Sequence, residues 1–153
     1  MSTSKSEVAA FQQTVWNYYD QHGRDLPWRK PSNDGDFDPY HIMVSEVMLQ
    51  QTQVSRVIPK YLAFIKSFPD ITALASAELE EVLRHWSGLG YNHRAKFLWQ
   101  AAREAMEQYN SQLPHTVEEL DALPGIGINT AAAIAAYSYN LPVIFIETSY
   151  RDW

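Results

Sequence analysis

Two stretches of the sequence hold residue types whose spacing could do chemistry. The first is Val44-Ser-Glu-Val-Met-Leu-Gln-Gln-Thr-Gln53. On a helix, three/four spacing puts Glu46, Leu49, Gln50 and Gln53 on one face. A carboxyl near apolar neighbours such as Met48 and Leu49 is held toward its neutral form, the state a general acid needs. From spacing alone, a surface glutamate capped by Gln50 is the simpler reading. The second stretch is Leu123-Pro-Gly-Ile-Gly127, preceded by Glu118-Glu-Leu-Asp and followed by Asn129-Thr130-Ala131. Two glycines flank Ile126, and a helix begins at once. Glycine permits positive φ and removes the side chain between backbone and ligand. The free N–H groups then face outward with the dipole of the next helix behind them, which suits an anion such as a DNA phosphate. For Gly-x-Gly alone, an ordinary corner between helices is the simpler reading.

The elements that must position these residues are helical nearly throughout. Val8, Phe11, Val15, Tyr18 and Tyr19 recur with helical period from Ser6 to about His22, and Gly23 ends that helix. Residues 24 to 37 read as a polar loop. Asp38-Pro39 is a helix start, an acceptor at the cap and proline at the first position, running to about Gln51. Further helices are expected at 53–68, 77–86, 92–112 and 129–139. Thr116-Val-Glu-Glu119 is a capping box. Ile126 should anchor the glycine turn in the core. The alanines at 131, 132, 133, 135 and 136 suit a helix packed closely on all sides. Val143 to Ile146 is a short apolar approach to Glu147. No strand-rich region or repeat is visible, so the fold class is all-α.

Composition sets outer limits. The 153 residues are 46% hydrophobic and 20% charged, which suits one globular domain. No apolar run approaches the roughly 20 residues of a membrane span, and no signal-peptide stretch opens the chain. With no cysteine, these residues can form no disulfide and no thiolate-held zinc or iron–sulfur centre. An intracellular protein is the simplest reading. The net charge of −6 argues against nucleic acid if taken alone, but binding follows local charge. The acids sit at helix starts (Glu78, Glu80, Glu81; Glu118, Glu119, Asp121). The bases gather as Arg24, Arg29, Lys30; Arg56, Lys60, Lys66; and Arg84, Arg94, Lys96.

From helix cap to Thr130-Ala131, the second stretch resembles a helix-hairpin-helix motif, which binds DNA without reading sequence. SEVMLQQTQV, with LPWR before it, GLGY after it and the LPGIG hairpin, resembles the adenine DNA glycosylases of the MutY type in order and spacing, from about Phe11 to Glu147. The resemblance implies a helix-hairpin-helix DNA glycosylase fold with a six-helix core. It implies that Glu46 protonates the adenine ring, that Gln51 enters the base stack, that Thr52 contacts the opposite base and that Tyr91 wedges into the duplex. Arg24, Trp28, Arg29, Leu49 and Asn129 would line the pocket for the flipped base. Leu123, Gly125, Gly127 and Thr130 would hold the DNA strand. The partner implied is double-stranded DNA carrying a mispair or an oxidised base, bound by a monomer, cytoplasmic and nucleoid-associated, with no membrane. The chemistry is coherent. Base chemistry needs the nucleotide out of the stack, and planar side chains fill the space it leaves. Bond cleavage resembles glycoside hydrolysis, with a protonated leaving group and an oxocarbenium-like sugar that a second carboxylate steadies.

Three features depart from the family pattern. Where the family has aspartate, then glycine and asparagine, this chain reads Glu147-Thr148-Ser149. Glu147 is expected in the cation-stabilising role, although a carboxylate displaced by about an ångström can cost ~100-fold in rate. Asn129 stands where the endonuclease III type carries its Schiff-base lysine, so a monofunctional enzyme is expected. The chain ends at Trp153, whereas the family continues with further helices and usually four cysteines binding a [4Fe-4S] cluster; no cofactor is expected within these residues. Residues 1–23 then read as the N-terminal helix of an incomplete second domain, with an exposed apolar face. Residues 24–142 read as the core with its hairpin at 117–136, and 143–153 as the start of the truncated second domain. The leading expectation is removal of adenine opposite 8-oxoguanine or guanine. A catalytically inactive DNA-binding module and a thymine or uracil mismatch glycosylase are the alternatives.

Overall fold

The computed structural model describes residues 4–31 and 35–144. Among them lie eight α-helices: α1 (Lys5–His22), α2 (Pro39–Leu49), α3 (Val54–Ser67), α4 (Ile71–Ser76), α5 (Leu79–Trp86), α6 (His93–Gln108), α7 (Val117–Asp121) and α8 (Ile128–Tyr139). A 3-10 turn, Pro27–Arg29, interrupts the segment expected to be loop. No strand occurs among the described residues beyond an isolated bridge between Pro31 and Phe37. The all-α reading holds.

Local chemistry sets the helix ends. The Asp38 carboxylate accepts from the backbone N–H of Tyr40 (2.8 Å) and His41 (3.3 Å), with Pro39 in the first turn, where its missing N–H costs nothing. Thr116 accepts from the Glu119 N–H at 3.3 Å, and its hydroxyl lies 2.7 Å from the Glu119 carboxylate. The expected box is therefore closed side chain to side chain. Six core helices were expected and are present, and a seventh, α4, lies between α3 and α5. Asp70 caps it by accepting from the Ala73 N–H at 2.8 Å. Its six residues are too few to display a helical period, which is why the sequence did not separate it.

α2 runs through the middle of the core. Ile42, Met43, Val44, Val47 and Met48 are all buried on it, and it packs against α3, α6 and α8. The alanines 131, 132, 133 and 135 are buried, and their short side chains let α8 lie against both α2 and α7. α1 is different. None of its residues is buried, and Phe11 (69%), Trp16 (62%) and Tyr18 (64%) are largely exposed. The exposed apolar face expected of this helix is present.

Candidate nucleic-acid interface

Glu46 sits in the last turn of α2 and is half-buried, with buried Ser45 and Val47 on either side. The helix stops at Leu49, earlier than the sequence suggests. Gln50 leaves helical geometry (φ −56°, ψ 112°) and Gln51 takes a left-handed conformation at φ 56°. Gln50, Gln51, Thr52 and Gln53 therefore form the turn into α3, and the expected stripe of Glu46, Leu49, Gln50 and Gln53 on one helix does not exist. Only Glu46 and Leu49 share the helix, and Leu49 is half-buried. Gln51 is exposed at the tip of the turn, and the Thr52 N–H closes it by donating to the Leu49 carbonyl at 3.2 Å.

A second turn joins α5 to α6. Gly88 (φ 92°), Gly90 (φ 77°) and Tyr91 (φ 48°) are all left-handed, and Tyr91 is 57% exposed. Arg94 lies one residue inside α6 and joins the two turns. In the sequence it stands in a basic cluster with Arg84 and Lys96, but it is 5% exposed and turned inward. Its guanidinium donates to the carbonyls of Val47, Met48 and Gln50 on one side, and to the Thr52 hydroxyl and the carbonyls of Leu89 and Gly90 on the other. Desolvation pulls its pKa below the ordinary arginine value, opposed by Tyr91. A signal for it was available. A cation in the first turn of a helix opposes that helix's dipole, whereas the same cation at the C-terminus of α2 complements one.

The hairpin follows α7. Leu123 and Ile126 are buried and fix the turn in the core, as expected for Ile126. The two glycines do different work. Gly125 has φ 73°, and a Cβ there would lie 2.5 Å from the Phe97 Cβ, so any other residue is strained and forces a shift. Gly127 has φ −89° and open space where a Cβ would stand. Of the two uses of glycine expected here, positive φ belongs to Gly125, and Gly127 only leaves the surface clear of a side chain. Ile128 and Asn129 are exposed at the start of α8, and Thr130 accepts a bond from the Gln50 amide at 3.4 Å. A cavity of about 210 Å³ lies beside the turn, lined by Val47, Gln50, His93, Arg94, Phe97 and Gly125.

The three residues expected near Pro27 to line the pocket differ in surroundings. Arg24 is exposed. Trp28 is 2% exposed, its ring edge-on to Tyr61 at 5.2 Å. Arg29 bonds the Tyr137 hydroxyl at 3.3 Å and stacks over that ring at 5.1 Å. Glu147 and Ser149 lie outside the described residues. The sequence has no cysteine to hold an iron–sulfur cluster, and the described residues include no group of three or more His, Asp and Glu side chains placed to bind a metal. No helix among the described residues is long and apolar enough to cross a membrane.

An all-α core whose central helix carries a half-buried carboxylate and packs against the helix that follows a glycine hairpin has the helix-hairpin-helix DNA glycosylase fold. The chain belongs to the HhH-GPD superfamily of base excision DNA repair proteins, whose family model matches residues 44–148. It is 46% identical over 138 residues to the human adenine DNA glycosylase, which covers 88% of this chain and 25% of that protein. Among solved structures, a thermostable thymine-DNA glycosylase superposes with a TM-score of 0.76 at 26% identity, covering 86% of this chain and 59% of the other. Endonuclease III, trapped on DNA, superposes with a TM-score of 0.75 at 18% identity, covering 96% and 66%. The chain thus spans about a quarter of the length of the human relative.

Proposed function

We propose that the chain carries the DNA-facing core of an adenine DNA glycosylase that hydrolyses the N-glycosidic bond of adenine opposite 8-oxoguanine or guanine. The observation that carries this reading is the placement of Glu46, half-buried in the last turn of α2, just before a turn whose Gln51 is left-handed and whose Gln50 bonds Thr130 on the hairpin helix. Hairpin N–H groups grip the strand, and Gln51 and Tyr91 occupy the space that the flipped base leaves. Glu46 gives its proton to the adenine ring. The C1′–N9 bond then breaks with its electron pair leaving on the purine, and water adds to C1′ and gives up a proton. Glu147 steadies the positive sugar. Asn129 offers no amine to C1′, so the reaction ends at the abasic site without strand cleavage. The partner is double-stranded DNA met by a monomer in the nucleoid of the cytoplasm. On this reading residues 1–23 and 143–153 belong to a second domain and 24–142 to the core.

Incubation with a duplex containing adenine opposite 8-oxoguanine, followed by alkali, should cut the adenine strand, and Glu46→Gln should abolish the cut. Full activity in Glu46→Gln would refute the assigned acid. The Glu147-Thr148-Ser149 stretch favours one other reading, a DNA-binding module without turnover. That reading predicts salt-sensitive duplex binding and no base release by the unmutated chain. The same assay on a thymine:guanine duplex separates out a mismatch glycosylase.

A further inference from the structure

We propose that Arg94 is a positioning residue that locks the turn after α2 to the turn before α6, so that Gln51 and Tyr91 enter a duplex as one rigid pair. The two tips share an unusual feature. Gln51 at φ 56° and Tyr91 at φ 48° are both bulky L-residues in the left-handed region, where neither rests without support. Such conformations persist only where the surroundings over-determine them. A single guanidinium supplies that constraint to both.

Its two terminal nitrogens divide the work. Nη1 donates to Val47 at 3.0 Å, Met48 at 3.1 Å and the Gln50 carbonyl, closing the C-terminus of α2. Nη2 donates to the Thr52 hydroxyl at 3.1 Å on the first turn, and to Gly90 at 3.2 Å and Leu89 at 3.4 Å on the second. A helix cap alone would need only the first set; the second set makes the residue a bridge. The guanidinium also lies 5.5 Å from the centre of the Tyr91 ring and 5.4 Å from that of Trp86, so it touches the wedge itself. Lysine cannot substitute, because one ammonium nitrogen cannot reach both sets at once. Ordering the pair during folding spares that cost when DNA binds. That Gln51 and Tyr91 enter DNA rests on the function proposed above; the coupling between the turns does not.

The test therefore has an arm without DNA. In the wild-type background, Tyr91→Ala should shift the amide NMR resonances of Gln51 and Thr52, and in Arg94→Lys the same substitution should leave them in place. In the DNA arm, an intact duplex, which offers no gap for Gln51 and Tyr91 to fill, is the reference against which the Arg94→Lys loss is read. The variant's preference for a duplex holding a tetrahydrofuran abasic analogue should fall about 10-fold, within the range of coupling between residues in contact. Equal loss on both duplexes would mean a purely structural role and overturn the proposal, as would an unchanged preference. If Arg94→Lys does not fold, the wild-type-background shift decides, and its absence overturns the coupling. A chain that binds no DNA would refute the function proposed above while leaving the NMR outcome to stand or fall by itself.

Discussion

The Gln50 side-chain amide donates to the Thr130 hydroxyl at 3.4 Å, and so ties the turn behind Glu46 to the first turn of the hairpin helix. The bond is long and half-buried, so its own contribution is small. Thr130→Val should cost about 0.5–1 kcal/mol in urea unfolding, the usual worth of one neutral hydrogen bond. If the bond also sets the distance between acid and hairpin, the same variant should lose more in single-turnover rate than in duplex affinity. Equal losses in both would mean that Thr130 serves strand binding alone.

Trp28 separates packing from recognition. It is 2% exposed and meets Tyr61 edge-on, so Trp28→Ala should destabilise the fold by about 3–5 kcal/mol, as large aromatic truncations in cores do. Trp28→Phe keeps an apolar ring and should retain most of that stability. Chemical denaturation of both variants checks the order. If Trp28→Phe is as stable as wild type yet loses base release, the side chain also faces the flipped base; if both measures survive, it is a core residue only.

The sequence was most legible where a pattern had a single physical solution. Asp38-Pro39 can start a helix in one way, and it did. The hairpin from Thr116 to Thr130 combined a cap, a buried Ile126 and a glycine turn, all consistent with one geometry. The glutamine run was less legible, because Gln50, Gln51 and Gln53 are compatible with a helix, and the tertiary contacts from Arg94 end it at Leu49. The role of Arg94 is hidden in the sequence for a related reason. Charge counted along a sequence carries no direction, so a cluster of bases does not show that one of them turns inward. Trp28 shows the same limit for aromatics: a resemblance supplies a role, but burial against Tyr61 is visible only in three dimensions.

Alkaline pH should unfold the protein through its buried tyrosines. Tyr139 is pushed up to about 12, first by burial and then by Asp38, and its hydroxyl donates to the Leu113 carbonyl at 3.0 Å. Burial also raises Tyr40, whose hydroxyl donates to the Phe68 carbonyl at 2.7 Å. The folded state holds these protons after the unfolded chain has released them at about pH 10. Their contribution is therefore fully present below about pH 10 and is lost as pH rises toward 12 and beyond. Urea midpoints measured from pH 8 to 11.5 should fall steadily above 10. Tyr139→Phe should start lower, having lost a hydrogen bond, but decline less steeply. An identical slope in that variant would exclude Tyr139 from the effect.

The two hairpin glycines should fail in opposite ways. At Gly125 an added methyl meets Phe97 at 2.5 Å on a backbone already at φ 73°. Gly125→Ala should therefore lower stability by about 1–3 kcal/mol through overpacking and left-handed strain, and any loss of DNA binding should follow from that. At Gly127 the backbone has φ −89° and the methyl enters open space. Gly127→Ala should leave the melting temperature unchanged or slightly raised, since alanine narrows the unfolded ensemble without strain in the native one. A phosphate drawn to the N–H groups at the start of α8 would meet that methyl, so duplex affinity should fall about 10-fold, a loss of roughly 1.4 kcal/mol. Melting curves and fluorescence-anisotropy titrations on the same two variants measure both quantities. Undiminished affinity in Gly127→Ala would show that DNA does not approach this turn closely, and the anion site would then have to lie elsewhere on the hairpin.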